Sequence, residues 1–274
     1  MSNLIYHYTS AEALKSIMLN QTFWITKSDY LNDTSEQVMI MDPLKAFFKE
    51  KKVDKDVQGY IINQLSEYLN NYNHYILSFS KTDDSLPLWN YYSENEGYSV
   101  GIDKDDFISK LTNYFKEKDP DSRVTITEVK YLSENGDEKA VRDELLPFIH
   151  FNAEDIENKR DKFDQLALKL ANMSYSIKHS AYSSEMEERI VVICKKDSLI
   201  SKSEEFRVLR GCFIPYIIFN KEARSDLEIP IKKIKLGPYH TLDATEKSLF
   251  YLLERKYSTF DKSNITRSQI PSRY

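Results

Sequence analysis

Tyr182-Ser183-Ser184-Glu185-Met186-Glu187-Glu188-Arg189-Ile190-Val191-Val192-Ile193-Cys194 is the stretch on which the reading of the chain turns. Its second half, Ile190 to Cys194, is apolar and rich in β-branched residues, which predicts a buried strand. An extended backbone sends alternate side chains to opposite faces, so Glu185, Glu187 and Arg189 point one way and Met186 and Glu188 the other. Two carboxylates side by side repel each other, which raises the pKa of at least one of them. Two accounts fit. In the plainer one this is an edge strand with a solvated acidic entrance and Arg189 as counter-charge. In the other the acid pair performs chemistry.

Working outward, the segments around this strand supply partners for it. Tyr75 to Ser80 alternates, with Tyr75, Leu77 and Phe79 on one face and Ile76, Ser78 and Ser80 on the other. Leu4 to Tyr8 reads as a short strand. Thr9 is then predicted to cap a helix with Glu12 completing a capping box, and Leu14, Ile17 and Met18 form its apolar stripe. Thr22–Thr26 is a second strand. Asp33 and Glu36 read as another capping box, opening a helix toward Phe47-Phe48 that Pro43 kinks or divides. A helix through Ile61, Leu65, Tyr68 and Leu69 follows. Ser85 and Pro87 start a short helix with Trp89 and Tyr92 on one side.

Further strands are expected at Gly97–Ile102, Val124–Leu132, Phe206–Leu209, Cys212–Phe219 and Ile229–Leu236. The glycines of the first of these suggest close backbone approach. Helical stripes lie at Phe107–Phe115, Glu138–Phe148, Phe163–Ile177 and Leu242–Tyr257, and the tail from Ile265 is extended and suited to a sheet edge. These elements predict an α+β fold with a mainly antiparallel sheet. They also predict a single domain over 1–274, with a helical elaboration at about 104–180, since no Pro/Gly/Ser linker bounds the middle.

Composition narrows the function classes. The chain has 274 residues, 41% hydrophobic and 30% charged, enough for a core and a soluble surface. Net charge is −5 and no basic tail is present, so general affinity for nucleic acid is not written into the composition. Nineteen tyrosines and fourteen phenylalanines suit sheet faces and ligand walls equally. No apolar run approaches membrane length, and Cys194 and Cys212 read as reduced core residues of a cytoplasmic protein. No P-loop or dinucleotide-binding glycine motif occurs, and neither His nor Cys shows metal-ligand spacing.

The landmarks in order resemble a bacterial family, domain of unknown function 2971. They are Tyr6-His7-Tyr8-Thr9-Ser10, Leu31-Asn32-Asp33 with Glu36, Phe79-Ser80 with Asp83, and Leu88-Trp89-Asn90-Tyr91-Tyr92. Lys178, Tyr182, Glu185-Met186-Glu187 and Arg189 complete the set, with Tyr182 where that family more often has Trp. A more distant resemblance is to the ADP-ribosyltransferase superfamily. There a first strand carries His or Arg, a middle strand Ser or Tyr, and a late strand the catalytic Glu. The counterparts in this chain are His7, Ser78-Phe79-Ser80 and Glu185-Met186-Glu187.

That resemblance implies a split-sheet fold and an enzyme that cleaves the nicotinamide–ribose bond of NAD, as a transferase or glycohydrolase. The transition state is oxocarbenium-like, so a carboxylate must sit beside the developing cation. The resemblance gives this role to Glu187, and to Glu185 the orientation or deprotonation of the acceptor. His7 would meet the adenosine ribose with Tyr8 and Thr9 beside it. Ser80 would hold Glu187, while Trp89, Tyr92 and Tyr182 stack on nicotinamide or adenine. The acceptor, whether protein, nucleic acid or water, is not disclosed, although a role in toxin or phage-defence systems fits the superfamily. Two alternatives stand beside this one. A non-catalytic module would bind a nucleotide or a partner protein. A metal-dependent nuclease would use Asp119, Asp121 and the Glu128-Val129-Lys130 strand.

Overall fold

A computed structural model of the chain describes residues 3–31, 40–93, 96–132, 139–240, 243–256 and 260–271. The strands are β1 (Leu4–Thr9), β2 (Phe23–Lys27), β3 (Tyr72–Ser80), β4 (Tyr98–Asp103), β5 (Arg123–Glu128), β6 (Lys130–Leu132), β7 (Ile177–His179), β8 (Glu187–Lys195), β9 (Glu205–Leu209), β10 (Cys212–Phe219), β11 (Ile231–Leu236) and β12 (Ile265–Arg267). The helices are α1 (Ala11–Asn20), α2 (Met41–Lys51), α3 (Lys55–Asn71), α4 (Leu86–Tyr92), α5 (Lys104–Lys118), α6 (Lys139–Leu145), α7 (Ala153–Asn158), α8 (Arg160–Ser174), α9 (Leu199–Lys202) and α10 (Asp243–Lys256).

The fold is a mixed α+β arrangement built on a mostly antiparallel sheet of ten strands. β3 is its hub. One edge of β3 pairs with β8 along its whole length, from Tyr72 opposite Lys195 to Ser80 opposite Glu187. The other edge is shared: β1 meets it at Ser80, and β2 meets it at Tyr75 and Ile76. The sheet therefore forks. One wing runs β1-β4-β11-β12 and the other β2-β10-β9, while β5 lies on the far side of β8. β12 pairs with β11 in parallel, so the extended tail does cover an edge. The expected solvated edge strand is corrected here. β8 has β3 on one side and β5 on the other, and its entrance is buried.

Two apolar clusters hold most of the described core. Ile5, Phe23, Leu77, Phe79, Ile190 and Val192 share one face of the sheet, packed under Leu14 of α1, Phe107 of α5 and Leu249 of α10. A second core joins α2, α3, α6 and α8 through Phe47, Ile61, Leu65, Val141, Phe163 and Leu170. The helical elaboration thus draws on α2 and α3 from outside 104–180, and α5 from inside that span packs on the sheet core instead.

Several local expectations change. Ser10, not Thr9, caps α1, its Oγ accepting from Ala13 N at 3.3 Å, and Thr9 ends β1. The Val124–Leu132 strand divides at Val129, and its two halves join different sheets. Ile177 leaves the α8 stripe for β7. Pro43 sits in the first turn of α2, where a missing N–H costs nothing. Cys212 is exposed at the start of β10, while Cys194 is buried as expected. The capping box at Asp33 and Glu36, with Asn32, lies outside the described residues.

Candidate functional site

The chain enters β8 through a 3-10 turn, Ser180–Glu185, and a single left-handed residue, Met186, with φ 46°. That kink keeps Glu185 out of the strand yet leaves its carboxylate beside Glu187. Both acids are buried, and so are Lys178 of β7 and Arg189 of β8. Lys178 Nζ donates to Glu185 Oε2 at 2.7 Å and to Glu187 Oε2 at 3.2 Å. Arg189 donates from Nε to Glu187 Oε1 at 2.8 Å and from Nη2 to Oε2 at 3.1 Å, and its Nη1 donates to the carbonyl of Tyr175. Tyr92 Oη donates to Glu185 Oε1 at 3.1 Å.

Two positive and two negative groups therefore cancel inside the protein. Burial alone would raise the pKa of Glu187, but the charges and hydrogen bonds of Arg189 and Lys178 outweigh it and hold the carboxyl below its usual range. For Lys178 burial works against the charge, and Glu187 and Glu185 more than restore it, so its pKa is raised. The like-charge repulsion expected between the two acids is thus overcome at Glu187 by the cations between them. Removing one member of such a cluster strands its partners and typically costs about 3–5 kcal/mol.

The surrounding backbone is fixed by hydroxyls. Tyr131 Oη of β6 accepts from Glu187 N at 2.8 Å. Ser80 Oγ donates to the carbonyl of Glu185 at 2.7 Å and accepts from Thr82 N. Ser78 lies across from Arg189 on the same face of the sheet. Above the buried charges stand two exposed rings. Tyr182 lies with the Lys178 ammonium 4.6 Å from its centroid, and Tyr92 reaches in with its hydroxyl alone. Burial first, and Glu185 second, push the Tyr92 hydroxyl pKa up, so it stays a donor.

Residues 88–190 match the family described as Protein of unknown function (DUF2971). No curated protein and no solved structure matches the chain. The DUF2971 segment opens in α4 and closes in β8, so it carries Tyr92, Tyr131, Lys178, Tyr182, Glu185, Glu187 and Arg189. It leaves out His7, Tyr8, Thr9, Ser78 and Ser80.

Of the residues singled out in the sequence, the structure gathers Glu185, Glu187, Ser80, Tyr92 and Tyr182. It separates His7 from them. His7 shares the face of Ile5, against Phe23 and Phe79 at ring centroids 5.3 and 5.6 Å, and its Nδ1 pairs with the Ser78 carbonyl. Glu187 projects from the opposite face of the sheet, alongside Ser78 and Ser80. The expected convergence of His7 and Glu187 on one cleft is corrected by the two-residue period of β1 and β8. Burial holds the His7 pKa down, so the ring is neutral among its aromatic neighbours.

Tyr8 lies on the same side as Glu187 with Trp89 packed against it, while Thr9 falls on the His7 side, and all three are buried. Trp89 donates to Asp84 and packs edge-on against Tyr8, whose hydroxyl bridges the Thr82 carbonyl and the Ser85 amide. They form the wall behind the site rather than its accessible lining. Tyr131 was absent from the expected site, and Lys178 and Ser78 were singled out only as members of the resembling motifs, with no site role of their own. For Lys178 a further signal was its place directly after the apolar Phe163–Ile177 stripe, because such a charge needs a buried partner.

The nuclease residues do not meet. Asp121 pairs with Lys195 before β5, and Glu128 pairs with Lys81 at its far end, about 20 Å away at strand rise. Among the described residues no group of three His, Cys, Asp or Glu is placed to hold a metal ion. None of the described helices is long and apolar enough to cross a membrane.

Proposed function

We propose that the entrance to β8 is the binding site of a nucleotide-class ligand, with Tyr92 and Tyr182 as the stacking rim and the buried charges as a rigid floor. The observation that carries this is the occupancy of the carboxylates. All four oxygens of Glu185 and Glu187 already accept from Lys178, Arg189 or Tyr92. A carboxylate in that state is a positioning group. It orients Lys178 and the Tyr92 hydroxyl, which are the donors nearest the rim. Exposed aromatic rings over a few fixed polar groups are the usual make-up of a small-molecule site.

Isothermal calorimetry with NAD, ADP-ribose and nicotinamide tests this reading. Heat is expected with NAD and ADP-ribose, and Tyr182→Ala or Tyr92→Ala should weaken binding at least about tenfold, as loss of a stacking ring does. No heat from any of the three overturns it.

A second reading is NAD-cleaving, ADP-ribosyltransferase-like chemistry at Glu187, with the acceptor open. One observation favours it: Ser78 and Ser80 lie directly across from Arg189 and Glu187 on the same face. That is the adjacency of Ser strand and Glu strand which the superfamily resemblance implies. For Glu187 to serve a developing cation, Lys178 would have to withdraw from its Oε2.

A further inference from the structure

The β9–β10 hairpin is the free end of one wing of the sheet. β9 pairs only with β10, so among the described residues its outer edge has no partner strand. Native sheets normally blunt such an edge with charge, proline or a covering segment. Here Phe206 and Val208 are 62% and 69% exposed, and Phe213 of β10, opposite Val208, is 70% exposed. They continue the apolar face of the sheet beyond its last covering helix.

The hairpin's geometry fixes which residues bond outward. Arg210 and Gly211 form a two-residue loop with φ 49° and 81°, the type I′ signature. In that turn the flanking pair, Leu209 and Cys212, bond to each other. Alternation then turns the amides and carbonyls of Phe206 and Val208 to the free edge and those of Arg207 inward.

Arg207 supplies the second, independent observation. It is half-buried, its Nε has no hydrogen-bond partner among the described residues, and its Nη2 donates to Thr26 Oγ1 at 3.0 Å. No carboxylate lies within ion-pair distance of it among the described residues. Burial lowers its pKa, with only Tyr216 opposing. A half-buried guanidinium without a counter-charge is an unfinished interaction, and its head, now lying back over β2, would swing outward to meet one at the edge.

We infer that this edge pairs with a second copy of itself, antiparallel, about a two-fold axis at Phe206. The axis is chosen by bonding and charge together. At Phe206 the outward amides and carbonyls of the two copies meet, and Phe206 lies against its own copy. Each Glu205 then stands opposite the other chain's Arg207 in a non-hydrogen-bonded pair, the closer of the two antiparallel spacings. An axis at Arg207 would set guanidinium against guanidinium with no outward bonds. An axis at Val208 keeps the bonds but leaves Arg207 facing Leu209. Glu205 now takes Lys221 on one oxygen and the Tyr216 hydroxyl on the other, and would share its carboxylate with Arg207 of the second copy.

Sedimentation velocity on the full chain across micromolar to submillimolar concentration tests this. The parent should pass from monomer to dimer. Glu205→Arg and Arg207→Glu should each weaken dimerisation at least tenfold, since each places like charges across the axis. An equimolar mixture of the two variants should dimerise again, because every cross-axis pair is then of opposite sign. That recovery also shows both variants fold. A parent that stays monomeric overturns the inference, as does a dimer that neither reversal weakens, or a mixture that does not recover.

Discussion

His74 shows how one buried side chain sets a pH dependence. It stacks on Tyr175 at 4.2 Å, is almost wholly buried, and its Nε2 has no hydrogen-bond partner. Burial, only partly offset by Asp29, lowers its pKa from 6.5 to about 4. The unfolded chain takes up the proton near pH 6.5 and the folded chain only near pH 4. The unfolded state therefore binds more protons between those values. The stabilisation is complete above pH 6.5 and is lost as pH falls toward 4, by roughly 3 kcal/mol in all. His7 is shifted in the same direction and adds to the slope. Urea unfolding at pH 7 and pH 5 should show the fall, and His74→Phe, which keeps the stack, should flatten it. An equal fall in both proteins would remove His74 as the cause. At this scale the sequence was partly legible. Glu185, Glu187, Tyr92 and Tyr182 were visible as a cluster because they sit on a short stretch or one helix face. Tyr131 was not, and Lys178 and Ser78 showed only as motif members without a contact, because their meeting depends on how β3, β6 and β7 are brought beside β8. His7 misled because a strand's period tells which residues share a face, not which face a distant strand shares.

Among the elements, strands with alternation were read well and their ends were not. β3, β8 and β10 lie where Tyr75–Ser80, Ile190–Cys194 and Cys212–Phe219 placed them, because each carries an unbroken apolar pattern. The run Val124–Leu132 carries a sign of its break, since its apolar positions are even at Val124 and Ile126 and odd at Val129 and Tyr131. The break comes from outside, where Val129 N donates to the Glu187 carbonyl and Lys130 N to the Ser176 carbonyl. The glycines before and within β4 were legible as close approach. A Cβ on Gly97 would meet the backbone oxygen of Thr9 and the Ser93 Cβ, both at 2.3 Å. Those are backbone-anchored atoms that cannot swing aside. Gly97→Ala is therefore expected to destabilise by about 1–3 kcal/mol or more, the range for overpacking. Gly59→Ala, on α3 with nothing within 4 Å, should stabilise slightly instead. Denaturation midpoints of the two variants against the parent check both signs. A Gly97→Ala protein as stable as the parent would mean that β1 and β4 do not approach as described.

For the whole molecule, the forked sheet is what makes the site. Because β1 and β2 share one edge of β3, the opposite edge is left entirely to β8, whose entrance then lies under β7, α4 and the Ser180–Glu185 turn. An antiparallel α+β sheet was legible in the strand patterns, but the fork was not, since it is written in register rather than in composition. The same topology places the β9–β10 hairpin at the far end of a wing, away from the buried charges. Edge pairing and ligand binding can therefore be tested separately. We propose that Glu187 positions its neighbours and does not itself react. Nicotinamide release from NAD, measured for the parent and for Glu187→Gln with NAD affinity and urea midpoint alongside, tests it most directly. The expected result is no nicotinamide release from the parent above the protein-free rate, NAD binding that survives in the variant, and an unfolding midpoint that falls because Arg189 and Lys178 lose their shared charge. Release by the parent that Glu187→Gln reduces a hundredfold or more at unchanged NAD affinity, the mark of a charge acting in the transition state, would contradict it.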